Sequence, residues 1–156
     1  MEGDPNLRSL QSLIRSFILF KNITERNIDI YWVNYTSKFI HYTRLKPNET
    51  SKVNTYETHP WVFKDSETGE RMHVAHNLVY FPEPWYTRID HTGRFGRILV
   101  EIHFPMRTLK ESCLWRVLNS LKNKENFLDL ELPKSIIDEL RICYNLYLRN
   151  NNKTIL

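Results

Sequence analysis

The sequence predicts an α+β chain: an antiparallel β-sandwich of about seven strands followed by a small helical subdomain. Three observations carry this. Apolar residues alternate with period two up to about Phe104, then recur at helical spacing beyond Pro105. Aromatic residues make up 13% of the 156 residues while glycine occurs only four times, a composition that suits strands and an aromatic binding surface. Turn residues cluster at short intervals between the apolar runs.

Residues 1–12 are polar and read as a loose terminus. Phe17-Ile18-Leu19-Phe20 is a short apolar run closed by Lys21-Asn22. Ile28, Ile30, Trp32 and Asn34 alternate with Asp29, Tyr31, Val33 and Tyr35, the pattern of a half-buried strand. Phe39 to Leu45 repeats it and stops at Lys46-Pro47-Asn48-Glu49, a turn by composition. Val53–Tyr56 and Trp61–Phe63 follow, then a polar loop from Lys64 to Glu70 whose glycine suits a hairpin. Val74–Phe81 reads as a further strand broken by Pro82-Glu83-Pro84, and Ile98–Phe104 closes the sandwich. The expected boundaries are 13–105 for the sandwich and 106–149 for the helices, with flexible termini at 1–12 and 150–156.

Beyond Pro105 the logic is helical. Thr108 and Glu111 make a capping box that fixes where the first helix begins. Leu109, Cys113 and Val117 form one edge of it; Leu114, Leu118 and Leu121 form another. Together they cover about half the cylinder, wider than the roughly 100° stripe that a single packing contact needs. The second edge packs on the following helix, which carries Ile136, Ile137, Leu140, Cys143, Tyr144, Tyr147 and Leu148. The first edge is left to pack on the sandwich or on a partner.

Composition excludes several functions. The formal charge is +4 with a pI near 9.1, but 22 basic residues are scattered among 18 acids and build no stripe for nucleic acid. No apolar run is long enough to cross a membrane. The N-terminus has neither a basic nor an apolar leader region, so the chain reads as soluble, reduced and intracellular. Asn-x-Thr sequons at Asn22, Asn34, Asn48 and Asn152 accordingly read as coincidental. Among the histidines only His73 and His76 are closely spaced, with no cysteine nearby, a weak zinc signal. No glycine-rich phosphate loop and no serine-nucleophile motif occurs. Neither a cofactor nor a metal is expected, and the chain reads as a non-enzyme.

Three segments in order, Ile30–Tyr35, Tyr56–Asp65 and Thr108–Val117, make the chain resemble the von Hippel–Lindau tumour suppressor family from about Ser16 to about Leu140. The resemblance implies a substrate receptor of a cullin-RING ubiquitin ligase, cytoplasmic and nuclear, with no catalytic residues of its own. Its sandwich would bind prolyl-hydroxylated hypoxia-inducible factor alpha. The hydroxyproline pocket falls on Trp32, Tyr42, Thr55, His59 and Trp61, with Tyr56 beside them. Thr55 stands where the family has serine, which keeps the hydroxyl. Thr108, Leu109, Lys110, Cys113, Leu114 and Val117 match the box that binds elongin C, which in turn brings elongin B, a cullin and a RING-box protein.

The chemistry of that set is coherent on its own terms. A hydroxyproline ring needs aromatic walls, which Trp32, Tyr42 and Trp61 can supply, and a donor–acceptor pair, which Thr55 and His59 can supply. Leaving both polar groups unpaired on plain proline would cost about 1–3 kcal/mol each, a discrimination on the order of a thousandfold. Ser51 and Asn54 replace an arginine and a histidine of the family, leaving flanking specificity open. The family's Lys-Pro-Glu-Asn segment, associated with cullin 2, stands here as Asn123-Lys124-Glu125-Asn126, without the proline. The alternative is an elongin-binding adaptor whose sandwich reads a different, non-hydroxylated substrate.

Overall fold

The computed structural model describes residues 6–151, with side chains through Arg149. The tails at 1–5 and 152–156 fall outside the described residues. Six strands form among those described: β1 (Arg15–Asn22), β2 (Ile28–Val33), β3 (Phe39–Leu45), β4 (Thr50–Tyr56), β5 (Trp61–Asp65) and β6 (Ile98–Ile102). They make two three-stranded sheets, ordered β4-β1-β6 and β3-β2-β5. Ile18, Phe20, Val53, Val100 and Ile102 from the first sheet and Ile28, Ile30, Leu45 and Phe63 from the second share one buried core. Fully burying side chains of this size stabilises the fold by about 1.5–3 kcal/mol each.

Two expectations need correction. The sandwich is not wholly antiparallel, because β6 runs parallel to β1 with Ile18 opposite Ile98. The long connection between β5 and β6 permits a crossover that no tight hairpin could make. Nor is there a strand over Val74–Phe81, so the count is six rather than about seven. Val74 and Asn77 exchange both backbone hydrogen bonds around Ala75 and His76, whose φ values are +47° and +64°. That is a tight reversal in the middle of the apolar run. What remains of the ladder is isolated bridges, Tyr80 to Trp61 and His73 to His103.

The sequons at Asn22 and Asn34 are turn chemistry. The Asn22 carboxamide oxygen accepts from the backbone N–H and the hydroxyl of Thr24, and its nitrogen donates to Arg26 and Leu45 carbonyls. Asn22 is fully buried. Asn34 treats Thr36 in the same way and also accepts from the Lys38 N–H. Asparagine with a hydroxyl two residues on is a compact way to satisfy a chain reversal.

The chain divides into two compact units at Pro105/Met106, with Thr68–Glu70 grouped with the helices. In the second unit, α1 (Leu109–Ser120) starts at Thr108, where the capping box is complete: the Glu111 N–H donates to the Thr108 hydroxyl and the Thr108 N–H donates to the Glu111 carboxylate. The Thr108 N–H and hydroxyl both donate to the Glu111 carboxylate and hold its pKa below the usual carboxylate range. A 3-10 turn at Lys124–Asp129 leads to α2 (Lys134–Asn151). Leu114, Trp115, Leu118, Phe127, Leu140 and Cys143 form the core of this unit. Arg107 lies over the Trp115 ring, 4.6 Å from its centroid, and pairs with the buried Glu70.

Candidate functional site

The sandwich residues singled out by sequence converge. Trp32 and Trp61 are directly opposed across β2 and β5. Opposed residues of an antiparallel pair share a face, with Cβ atoms about 5 Å apart. Tyr42 meets Trp61 edge-on, ring centroids 5.2 Å apart. The Trp61 indole N–H donates to the Thr55 hydroxyl at 3.2 Å, a bond between the two sheets, since Thr55 lies on β4. Thr55 and Trp61 are only 5% and 3% exposed.

His59 completes the cluster from the turn between β4 and β5. Its N–H bonds back to the Tyr56 carbonyl at 3.0 Å, and Pro60 favours extended backbone at the preceding residue. The imidazole stacks on Trp32 with centroids 5.4 Å apart and meets the Tyr56 ring at 5.1 Å. Burial pushes the His59 pKa below the usual histidine value, against a smaller upward pull from a hydrogen bond to the Leu10 backbone. The ring is thus biased toward neutrality, in which one nitrogen donates and the other accepts.

Three residues that sequence reading left out belong to this site. Ser9, buried, accepts from the Trp32 indole N–H at 2.7 Å and donates to the Val33 carbonyl at 2.6 Å. Ser12 Oγ lies 3.1 Å from His59 Nε2, and Tyr35 Oη lies 3.4 Å from the same nitrogen. The stretch around Ser9, read as loose, is therefore docked against Trp32, Val33 and His59, with the Leu10 N–H also bonded to the Thr58 carbonyl. An open groove of about 550 Å³ is lined by Ser9, Leu10 and Leu13 of this stretch together with Tyr35 and Thr58. Nothing in the local pattern of residues 6–12 announces such contacts, because every partner is more than twenty residues away.

The α1 residues sort differently. Leu109 is 82% exposed and Cys113 is exposed, while Val117 is half-buried against the helical core. Leu114 is part of that core, Lys110 donates to Glu139 on α2 at 2.6 Å, and Thr108 is committed to the cap. The surface available on this edge is Leu109 with Cys113. Asn123 caps the 3-10 turn that carries the altered Lys-Pro-Glu-Asn segment, accepting from the Glu125 N–H. His73, His76 and His103 are neighbours, with His76 and His103 centroids 5.0 Å apart. Among the described residues no group of three or more His, Cys, Asp or Glu is placed to hold a metal ion, and no helix is long and apolar enough to cross a membrane.

By fold and site this is a two-unit α+β protein: a sandwich carrying an aromatic, hydrogen-bonded side-chain cluster, and a helical unit presenting an exposed leucine. A family model described as the VHL beta domain matches residues 7–88. Protein Vhl of Drosophila melanogaster is 39% identical over 131 residues, covering 80% of this chain and 72% of that relative. The chain belongs to the VHL family.

Proposed function

We propose that this protein is the substrate receptor of a cullin-RING ubiquitin ligase, binding prolyl-hydroxylated hypoxia-inducible factor alpha through its sandwich and elongin C through α1. The substrate is thereby marked for proteasomal degradation when oxygen permits its hydroxylation. Elongin B, a cullin and a RING-box protein complete the assembly, in cytoplasm and nucleus. The receptor has no catalytic part in ubiquitin transfer. The missing proline beside Lys124 leaves the choice of cullin, cullin 2 in the family pattern, to experiment.

The observation that carries this reading is the single cluster of Trp32, Tyr42, Thr55, His59 and Trp61. Tyr42, Trp61 and Trp32 offer ring faces for a pyrrolidine. The Thr55 oxygen accepts from Trp61, so its own O–H is oriented away to donate. The arrangement also revises the discrimination expected from sequence. Ser12 already satisfies His59 Nε2, so plain proline leaves one polar group short rather than two. That is about 1–3 kcal/mol, or about tenfold to hundredfold in affinity.

Support for the second docking surface is the exposure of Leu109 at 82% beside a helix whose opposite edge is buried. An exposed leucine next to a small apolar cysteine suits a partner helix approaching closely. The test is co-purification with elongins B and C. Leu109→Asp abolishes it and His59→Ala spares it; wild-type recovery by Leu109→Asp refutes the helical half of the proposal.

A further inference from the structure

We infer that Asp29, His41 and Arg44 form a clasp on the outer face of the β2–β3 pair that holds a bulge in β3 and so turns Tyr42 toward Trp61, making Asp29 a positioning residue for the aromatic cleft. The functional consequence rests on the peptide-reading proposal; the geometry does not.

β2 and β3 pair Ile28 with Leu45, Asp29 with Arg44 and Ile30 with Thr43, but the next pair is Tyr31 with His41. Tyr42 is the extra residue. Side chains alternate along a strand, and Leu45 lies in the core with Ile28 and Ile30. An uninterrupted β3 would therefore place His41 on the core face and Tyr42 outside beside Arg44. The bulge reverses the phase. His41 joins Arg44 outside, and Tyr42 comes to lie edge-on to the buried Trp61.

A bulge forfeits regular pairing, so something must hold it against slipping back. Here one carboxylate does so from both sides. Arg44 Nε and Nη2 donate to Asp29 Oδ1 and Oδ2 at 2.7 and 2.9 Å, and His41 Nε2 lies 3.2 Å from Oδ1. Arg44 follows the extra residue and His41 precedes it. Lys64, opposite Asp29 on β5, places its ammonium over the Tyr31 and Phe39 rings at 5.7 and 5.2 Å. Asp29 is 6% exposed, and burial alone would push its pKa up; the hydrogen bonds from Arg44 and His41 outweigh this and hold it low. An ionised aspartate at the centre of a sheet runs against strand propensity, and the clasp supplies a reason for it.

The test uses the protein co-expressed with elongins B and C and a labelled hypoxia-inducible factor alpha peptide carrying 4-hydroxyproline. Asp29→Ala weakens binding about five- to tenfold, the worth of one well-placed contact. It also erases the nuclear Overhauser contact between the Tyr42 and Trp61 rings. In a Tyr42→Ala background Asp29→Ala adds no further loss. His41→Gln, whose amide still donates to Asp29, keeps both contact and affinity, whereas His41→Ala loses both while leaving the Arg44 pair in place. Should Asp29→Ala not fold, His41→Ala carries the two readouts. A Tyr42–Trp61 contact that persists in these variants, or a loss that adds to that of Tyr42→Ala, overturns the clasp. A wild-type protein that ignores the peptide overturns the peptide reading alone, and the ring contact still decides the clasp.

Discussion

Ser9→Ala is the most instructive single substitution. The Ser9 hydroxyl is the partner of two groups at once, accepting from the Trp32 indole and donating to the Val33 carbonyl, and Ser9 is 2% exposed. Alanine fits the space but leaves a part-buried N–H and a buried C=O short of partners. At about 1–3 kcal/mol for each such group, partly relieved by relaxation, the expected cost is about 2–4 kcal/mol. For a unit the size of this sandwich that lowers the melting temperature by about 10–20 °C. Calorimetry of the purified protein measures it. The attribution is checked in a Trp32→Phe background, where no indole N–H remains and the cost of Ser9→Ala falls by about 1 kcal/mol or more. A loss below about 0.5 kcal/mol, in the range of ordinary surface changes, refutes the reasoning. So does an identical loss in both backgrounds.

Other outcomes follow from the same geometry. Thr55→Val keeps the shape but removes the acceptor of the Trp61 indole, and destabilises the sandwich by about 1–3 kcal/mol in urea titration. Leu118→Ala empties a fully buried position between α1 and α2 and costs about 2–5 kcal/mol, seen as early loss of helical circular dichroism on heating. His59 has a lowered pKa when folded, so the folded chain binds fewer protons than the unfolded one. Its contribution to stability is complete above about pH 6.5 and is lost as pH falls through the lowered value. Stability measured from pH 7.5 to 5 therefore declines less in His59→Gln than in the wild type; an equal decline contradicts this.

What could be read from the sequence was local. The start of α1 is written in Thr108 and Glu111, three residues apart, and the structure completes that cap. The division of its apolar residues between Leu114 and Leu118 on one edge and Leu109 and Cys113 on the other follows from helical periodicity alone. Failures came where distant chain decides. Val74–Phe81 has strand composition, yet Ala75 and His76 reverse the chain with positive φ, which alanine does not advertise. The parallel β1–β6 pairing depends on a crossover that no pattern inside either strand encodes. Tyr42 lies near Trp61 because of an extra residue in β3, which simple alternation would place on the wrong face. Ser9 and Ser12 sit in a polar stretch whose partners, Trp32, Val33 and His59, lie far along the chain.

The most direct test of the central proposal is fluorescence anisotropy with two labelled hypoxia-inducible factor alpha peptides, identical except for proline or 4-hydroxyproline. Each is titrated with the protein co-expressed with elongins B and C. The cleft of Trp32, Tyr42, Thr55, His59 and Trp61 predicts that the hydroxylated peptide binds at least about tenfold more tightly, the worth of one buried group left unpaired by plain proline. Equal affinity for the two peptides, or binding of neither by an intact complex, contradicts it.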